Sequence, residues 1–392
     1  MACDTIYDYL EQESGRFGNL IYDRVFQTSP WIGLVKRGEF PSGMGTVISN
    51  LTYERSVPTA AEPTWSTIVP ADGEGGSCLP SATKIAVAST TRTFQLKRRV
   101  LEGPDFCAED LRYKFQLRSQ LEKILGIISE YSRVEWEIRY RHDYFTLVGN
   151  KTVLDANWKG SSTGTGADYP AACPTSNLTQ VVLNWAKQKM LRNGAIMSAL
   201  GKDNGTAVLT LVTSGEQSDR LIFDNADIRE DLRWGKPSEL LAAYGVERAY
   251  RGFYHLIDPY PRRFSCVGGV DTEIAAFTTA AATKGNKAVV NSSWETAGYE
   301  ESFVFDPSVF TSLIPQPVTN PAPNFKFDPV TYIGDWKLKN IPDRVCNPDG
   351  NIVYHRGILA HAPEPIHPER GWAFQHLRCD GPTDDALVTS CS

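Results

Sequence analysis

No apolar run in this chain of 392 residues approaches ~18 residues, so no membrane-spanning helix is expected. The opening residues, Met1-Ala2-Cys3-Asp4 and onward, are acidic and lack an apolar centre, which argues against an ordinary secretory signal. There is little excess of either charge. Lys and Arg total 40 against 46 Asp and Glu, a formal net charge of −6, so wholesale electrostatic attachment to nucleic acid or an anionic membrane is not implied. The eight cysteines, at 3, 78, 107, 173, 266, 346, 379 and 391, include no C-x-x-C pair, which argues against a zinc ribbon or a thioredoxin-type site. Free thiols are the expected state of a product made in a cytoplasm, and the sequons beginning at Asn50, Asn150, Asn177, Asn204 and Asn291 then carry no weight. What is present is the composition of a soluble, loop-rich folded protein long enough for two or three domains: 41% hydrophobic residues, 31 Gly and 24 Pro.

The most informative segment runs from Asp105 to about Tyr144. Gly103 and Pro104 break the chain before it, Asp105 can cap free N–H groups, and Glu109 and Asp110 suit the positive end of a helix dipole. Leu117, Leu121, Ile124, Ile128, Tyr131, Val134 and Ile138 then follow at spacings of three and four, one apolar stripe of a long amphipathic helix. From Val134 the sequence also alternates as a strand would. Continued helix is preferred, because no Gly, Pro or Asn interrupts it and Glu135/Arg139 and Glu137/Arg141 are i,i+4 pairs in the favourable order. Such a helix is roughly 40 to 60 Å long.

Around it, residues 1–35 carry spaced aromatics without periodicity and read as an extended arm. Thr46–Val57 and Lys84–Val100 read as two strands joined by a long Pro/Ala/Gly/Ser-rich connection; an isolated ribbon of two strands is marginal in water and needs a neighbour. Further on, Asn177–Arg192 reads as a helix ending at Asn193-Gly194. Ala207–Thr213 reads as a buried strand running into the S-x-x-Q capping box at Ser214. Tyr254–Ile257 is a strand stopped by Asp258-Pro259-Tyr260-Pro261, 268–300 an Ala/Thr-rich insertion, and Ile352–Leu359 and Trp372–Leu377 closing strands.

Catalytic motifs are weak. Gly160-Ser161-Ser162-Thr163-Gly164 matches G-x-S-x-G but lacks the strand and helix a nucleophile elbow needs, and no Walker loop exists. His355, His361, His367 and His376, with Glu364, Glu369 and Cys379, are dense but not spaced for one helical face, so they read as packing and surface residues; no metal or other cofactor is expected. Lys97-Arg98-Arg99 reads as salt bridges or a solvated strand edge, with Arg98 on the opposite face from the other two.

The order of arm, long ribbon, long helix, strand-and-helix region and returning strands resembles the HK97-type major capsid protein of tailed bacteriophages, and phrases near Phe303–Ile314 and Gly371–Cys379 are similar to those of marine phage capsid proteins. The resemblance implies an α+β fold: an N-terminal arm at 1–35, an extended β-hairpin E-loop at 36–103, a peripheral domain with the spine helix at 104–160, an axial domain at 161–315, and a return to the peripheral domain and a C-terminal tail at 316–392. It also implies no catalysis. The chain would assemble in a host cytoplasm with copies of itself, as hexameric and pentameric capsomers of an icosahedral virion shell around double-stranded DNA, without sequence-specific DNA contact or membrane. Cement, scaffolding and portal proteins would be further partners.

Expected inter-subunit contacts are Trp31, Phe94, Leu96, Lys97, Arg98, Arg99, Arg262 and Arg263, and Cys78 and Cys391 are the candidate inter-subunit thiols. The chain enters the arm almost at once, which implies separate scaffolding or none, and no residue matches a Lys–Asn crosslink. Two alternatives stand beside this: a β-rich hydrolase using paired carboxylates, and another virion protein such as a tail component.

Overall fold

A computed structural model of the chain describes residues 30–40, 46–54, 56–57, 87–102, 106–107, 117–158, 169, 172–195, 209–223, 246–250, 253–282, 286–315, 330–333, 336–342 and 352–378. In chain order the elements are α1 (Pro30–Leu34), β1 (Lys36–Phe40), β2 (Val47–Tyr53), β3 (Ser89–Gln95), β4 (Lys97–Glu102), β5 (Phe106–Cys107), α2 (Leu117–Leu147), β6 (Asn150–Val153), α3 (Gln180–Arg192), β7 (Leu209–Thr213) and α4 (Gly215–Phe223). There follow β8 (Val246–Tyr250), β9 (Phe253–Ile257), β10 (Arg263–Val267), β11 (Val270–Ile274), β12 (Phe277–Ala281), β13 (Asn286–Val290), α5 (Ser292–Glu295), β14 (Tyr299–Phe305), β15 (Phe310–Pro315), β16 (Val330–Ile333), β17 (Trp336–Pro342), β18 (Ile352–Pro365) and β19 (Trp372–Leu377). The fold is α+β. Much of the expected arm, the connection between the ribbon strands, the G-x-S-x-G stretch, Cys78, Cys379 and Cys391 lie outside the described residues.

One sheet runs β1-β15-β18-β17-β16, with β4 and β5 also paired to the long strand β18. The other runs β11-β10-β14-β7-β9-β8, with β19 on β14 and β6 on β19. Strands β6 and β19, expected with the peripheral part, therefore join the sheet of the expected axial part. The expected insertion is built as β11, the hairpin β12–β13 and the short α5. Its entry is a two-residue turn between Val267 and Val270, and Gly268 (φ 62°) and Gly269 (φ 82°) supply the two positive φ angles a primed turn requires.

Helix α2 has 31 residues, about 46 Å. It continues through the alternating segment, as the charge spacing predicts; near the expected start Phe106 and Cys107 pair instead with Val353 and Ile352 of β18, so at these two residues the ladder bonds of a strand take the place of helix. At the other end Gly149 N–H donates to Pro368 O (2.7 Å), and Lys151 Nζ donates to Val148 O (2.7 Å), a cation at the negative end of the helix. The capping box at Ser214 is half formed. Ser214 Oγ accepts from Gln217 N–H (3.1 Å), while the Gln217 amide donates to Leu178 O (2.9 Å) and so ties α4 to the start of α3.

Among the described side chains of α2, the buried face is not the one its spacing predicts. Trp136, Tyr140, Tyr144, Phe145 and the following Val148 form the core with Trp31, Leu34, Phe303, Phe305 and Phe310, whereas Tyr131 and Ile138 of the predicted stripe are exposed and Val134 half-buried. Residues two apart on a helix lie about 200° apart, so Trp136 and Tyr140 oppose Val134 and Ile138, and the aromatic face, which hides more area per residue, wins the core. A second cluster packs Val182, Leu183, Ala186 and Met190 of α3 onto Leu209, Leu211, Val304 and Phe374.

Candidate functional site

Three features stand out around the root of the two-stranded ribbon. The ribbon itself is a separate sheet, β2 against β3, in register from Val47↔Gln95 to Tyr53↔Ser89. Alternation gives it two faces. The inner face is anchored: Phe94 is buried with Phe40, Leu313 and Ala362, Ile48 and Leu96 pack against that cluster, and Asn50 Nδ2–H donates to Glu364 Oε1 (3.2 Å). The outer face is open, with Val47, Leu51 and Tyr53 at 48%, 55% and 64% exposure among the exposed Ser49, Ser89, Thr91, Thr93 and Gln95.

The second feature is the outward stripe on α2, where Ile127, Tyr131 and Ile138 are 69%, 53% and 39% exposed.

The third is a set of buried charges that locks the elements together. Asp258, at the end of β9, accepts Tyr260 N–H through Oδ1 (2.9 Å), while its Oδ2 accepts the Trp31 indole N–H (3.0 Å) and pairs with Arg141 Nη1 (3.2 Å). Arg141 also donates to Tyr260 O. One carboxylate thus joins α1, α2 and the turn after β9, and removing one partner from a buried pair of this kind costs about 3–5 kcal/mol. Arg262 donates to both oxygens of Glu301 (3.2 Å each) and to Glu273 (2.9 Å), and stacks on Phe145 at 4.1 Å. Burial holds the Glu301 carboxyl above its usual range, although Arg262 pulls it down. Arg263 pairs with Glu216 (2.9 Å), approaches Glu300 (3.7 Å) and stacks on Trp294 at 3.9 Å.

Of the expected contact residues, Trp31, Phe94, Arg262 and Arg263 are buried within the chain, their rings and guanidinium groups held by the partners just named. Leu96 is half-buried in the ribbon-root cluster. Lys97, Arg98 and Arg99 are exposed; Lys97 reaches Asp143 (3.4 Å) and Arg99 reaches Glu135 (3.2 Å). The expected i,i+4 pairs of α2 are replaced by Arg133–Glu137 (3.1 Å) and Arg139–Asp143 (2.7 Å).

Cys173 and Cys266 form a disulfide, with Cα atoms 5.7 Å apart, where the sequence led to an expectation of free thiols. The two residues are 93 apart, so only the fold, which seats 172–175 beside β10, brings them together. Spacing gave no signal for it. The outer ribbon positions Val47, Leu51 and Tyr53 were also missed, although their alternation with Ile48, Asn50 and Thr52 is legible.

His361 and His376 are packing histidines, both buried. His376 Nε2 meets Ser302 Oγ at 2.8 Å and its Nδ1 meets Leu377 O at 2.9 Å, which fixes the proton on Nδ1 and makes Nε2 the acceptor. Among the described residues no group of His, Cys, Asp and Glu could hold a metal ion, and no helix is long and apolar enough to cross a membrane.

No family model matches the chain, and no curated protein matches it. Among solved structures it is similar to the capsid of the cyanophage P-SCSP1u, at 11% identity over 88% of this chain and 87% of that one, with a TM-score of 0.46. It is similar to the capsid of Ralstonia phage GP4, at 10% identity over 92% of both chains, with a TM-score of 0.47. It is also similar to a chain of the cyanophage Pam1 capsid asymmetric unit, at 9% identity over 90% of this chain and 93% of that one, with a TM-score of 0.48.

Proposed function

We propose that this chain is a structural capsid protein of the HK97 type, which self-assembles into hexamers and pentamers of an icosahedral shell enclosing double-stranded DNA. The observation that carries the reading is the ribbon β2–β3: a two-stranded sheet of its own, anchored on one face and presenting Val47, Leu51 and Tyr53 on the other. A ribbon this narrow gains stability when a neighbour covers it, and the neighbour a repeated shell supplies is another copy of the same chain. On this reading β2–β3 belong to the E-loop, α2 is the spine helix, the sheet around β18 is peripheral and the sheet around β14 is the core of the axial domain. Scaffolding, cement and portal proteins are the further partners such a shell recruits, and assembly takes place in the host cytoplasm.

The hydrolase reading would need two carboxylates facing one cleft. Glu300 and Glu301 are the adjacent buried pair, but they point to opposite faces of β14 and each has its own arginine, Arg263 and Arg262.

Electron microscopy and sedimentation of the expressed protein test the assembly reading. Shells or capsomers are expected from the natural chain. The triple substitution Val47→Ser, Leu51→Ser, Tyr53→Ser is expected to leave a folded chain that assembles poorly. A stable 43.5 kDa monomer from the natural sequence overturns the reading.

A further inference from the structure

Beside the ribbon root, β4, α2 and β18 enclose an open cleft of about 170 Å³. Strand β4 contributes Lys97, Arg98 and Arg99; helix α2 contributes Glu135, Trp136 and Arg139; His361 of β18 closes one wall. The formal charges of the lining are four positive and one negative. Asp143, beneath the cleft and held by Arg139 (2.7 Å), Lys97 (3.4 Å) and His361 (3.2 Å), adds a second negative charge, which leaves a surplus of two positive. His361 stays neutral near pH 7, because burial lowers its pKa despite Asp143.

Trp136, stacked on Tyr140 (5.1 Å), lines the cleft as well. Cations in excess around an open cavity call for one chemistry: a compact group with several acceptor oxygens and negative charge. A space of this volume holds about six waters, enough for one phosphate or one carboxylate side chain and too little for a polymer backbone lying along it. Guanidinium groups suit either oxyanion, since their paired N–H donors match its geometry.

We propose that the cleft between β4, α2 and β18 is an oxyanion-binding site, filled by a free phosphate or by a carboxylate side chain of a second copy of this chain. The site itself does not depend on the assembly reading; only the second source does.

Equilibrium dialysis with radiolabelled inorganic phosphate tests it on the full chain. The natural protein is expected to bind one phosphate per chain, saturably and more weakly as salt rises. Arg98→Gln, on the exposed strand, removes a cation without breaking an ion pair among the described residues, and is expected to weaken binding about tenfold, the loss of one hydrogen bond from a charged donor. No saturable binding, or equal binding by the natural chain and the variant, overturns the proposal.

Sedimentation with and without excess phosphate separates the two sources. If a second copy fills the cleft, phosphate suppresses association of the natural chain, and Arg98→Gln associates weakly whether or not phosphate is present. If the occupant is a free anion, binding is seen and association is unchanged. A chain that binds phosphate but never associates keeps this site and removes the shell reading instead.

Discussion

Glu300 and His376 stand directly opposite each other on β14 and β19, and their protonation opposes in sign. Burial raises the Glu300 carboxyl from 4.5 to about 7, against the Ser214 hydroxyl that donates to it at 2.8 Å and the nearby Arg263; Glu216 adds to the rise and Arg378 counters it. Burial lowers His376 from 6.5 to about 4, against its bond to Leu377 O. The folded chain thus holds a proton on Glu300 that the unfolded chain releases. The cost to stability is absent below pH 4.5, grows as pH rises and levels off near pH 7. For His376 the cost is absent above pH 6.5, grows as pH falls and levels off near pH 4. Each gap is roughly 2.5 pH units at about 1.4 kcal/mol per unit, so each full effect is about 3 kcal/mol.

Between pH 4.5 and 6.5 the two slopes are equal and opposite, and together they contribute almost no pH dependence. Single substitutions expose them. Glu300→Gln is expected to gain about 3 kcal/mol relative to the natural chain as pH rises from 4.5 to 7, and His376→Gln a similar amount as pH falls from 6.5 to 4. Urea unfolding of the three unassembled proteins at a series of pH values measures this, and differences between variants cancel every other titrating group. Three parallel pH profiles would refute the reasoning.

Three further outcomes follow from the packing. Cys173→Ser is expected to lower stability by up to about 4.6 kcal/mol, the loop-closure entropy for residues 93 apart, and reductant is expected to have the same effect on the natural chain and none on the variant, as read by thermal unfolding and thiol labelling. Gly371→Ala is expected to cost about 1–3 kcal/mol or more in denaturant unfolding, since the added Cβ would overlap Tyr144 Oη and lie 2.7 Å from Val309 and 2.9 Å from Val148; an unchanged midpoint would contradict the close approach. In the unassembled chain Ile138→Ser is expected to change stability by less than about 0.5 kcal/mol, while Trp136→Ala costs about 3–5 kcal/mol; comparable losses at both positions would show that the two faces of α2 have been assigned the wrong way round.

Sequence pattern was most reliable where one local cause decides the structure. The strand–cap–helix passage from Leu209 to Phe223 follows from a buried apolar run that meets Ser214, and the stop of α3 at Asn193-Gly194 follows from the left-handed conformation of Gly194 (φ 92°). It was least reliable where partners distant in the chain decide. Phe106 and Cys107 became a strand because β18 lies beside them; nothing near Arg262 and Arg263 in sequence announces Glu301, Glu273 or Glu300 as their partners. The i,i+4 charges of α2 were right in kind and wrong in pairing, because Arg99 takes Glu135 and Asp258 takes Arg141 from outside the helix.

The inverted face of α2 has a cause of a different kind. Val134 and Ile138 alternate with Trp136 and Tyr140 along one helix, so the segment is apolar on two nearly opposite sides. One side meets Trp31, Phe303 and Phe305 of its own chain, and the other, from Ile127 to Ile138, meets none of the core clusters among the described residues. The ribbon repeats the pattern, with Phe94 and Ile48 inward and Val47, Leu51 and Tyr53 outward. Single exposed apolar side chains are ordinary on a folded chain, but apolar side chains that line up along one face suit a surface that a neighbour covers. A chain that acts as a repeated unit gains a surface for its neighbours. The two apolar faces of α2 and the two faces of the ribbon are therefore one physical argument for assembly, and periodicity alone could not say which face turns inward because each face satisfies the same spacing.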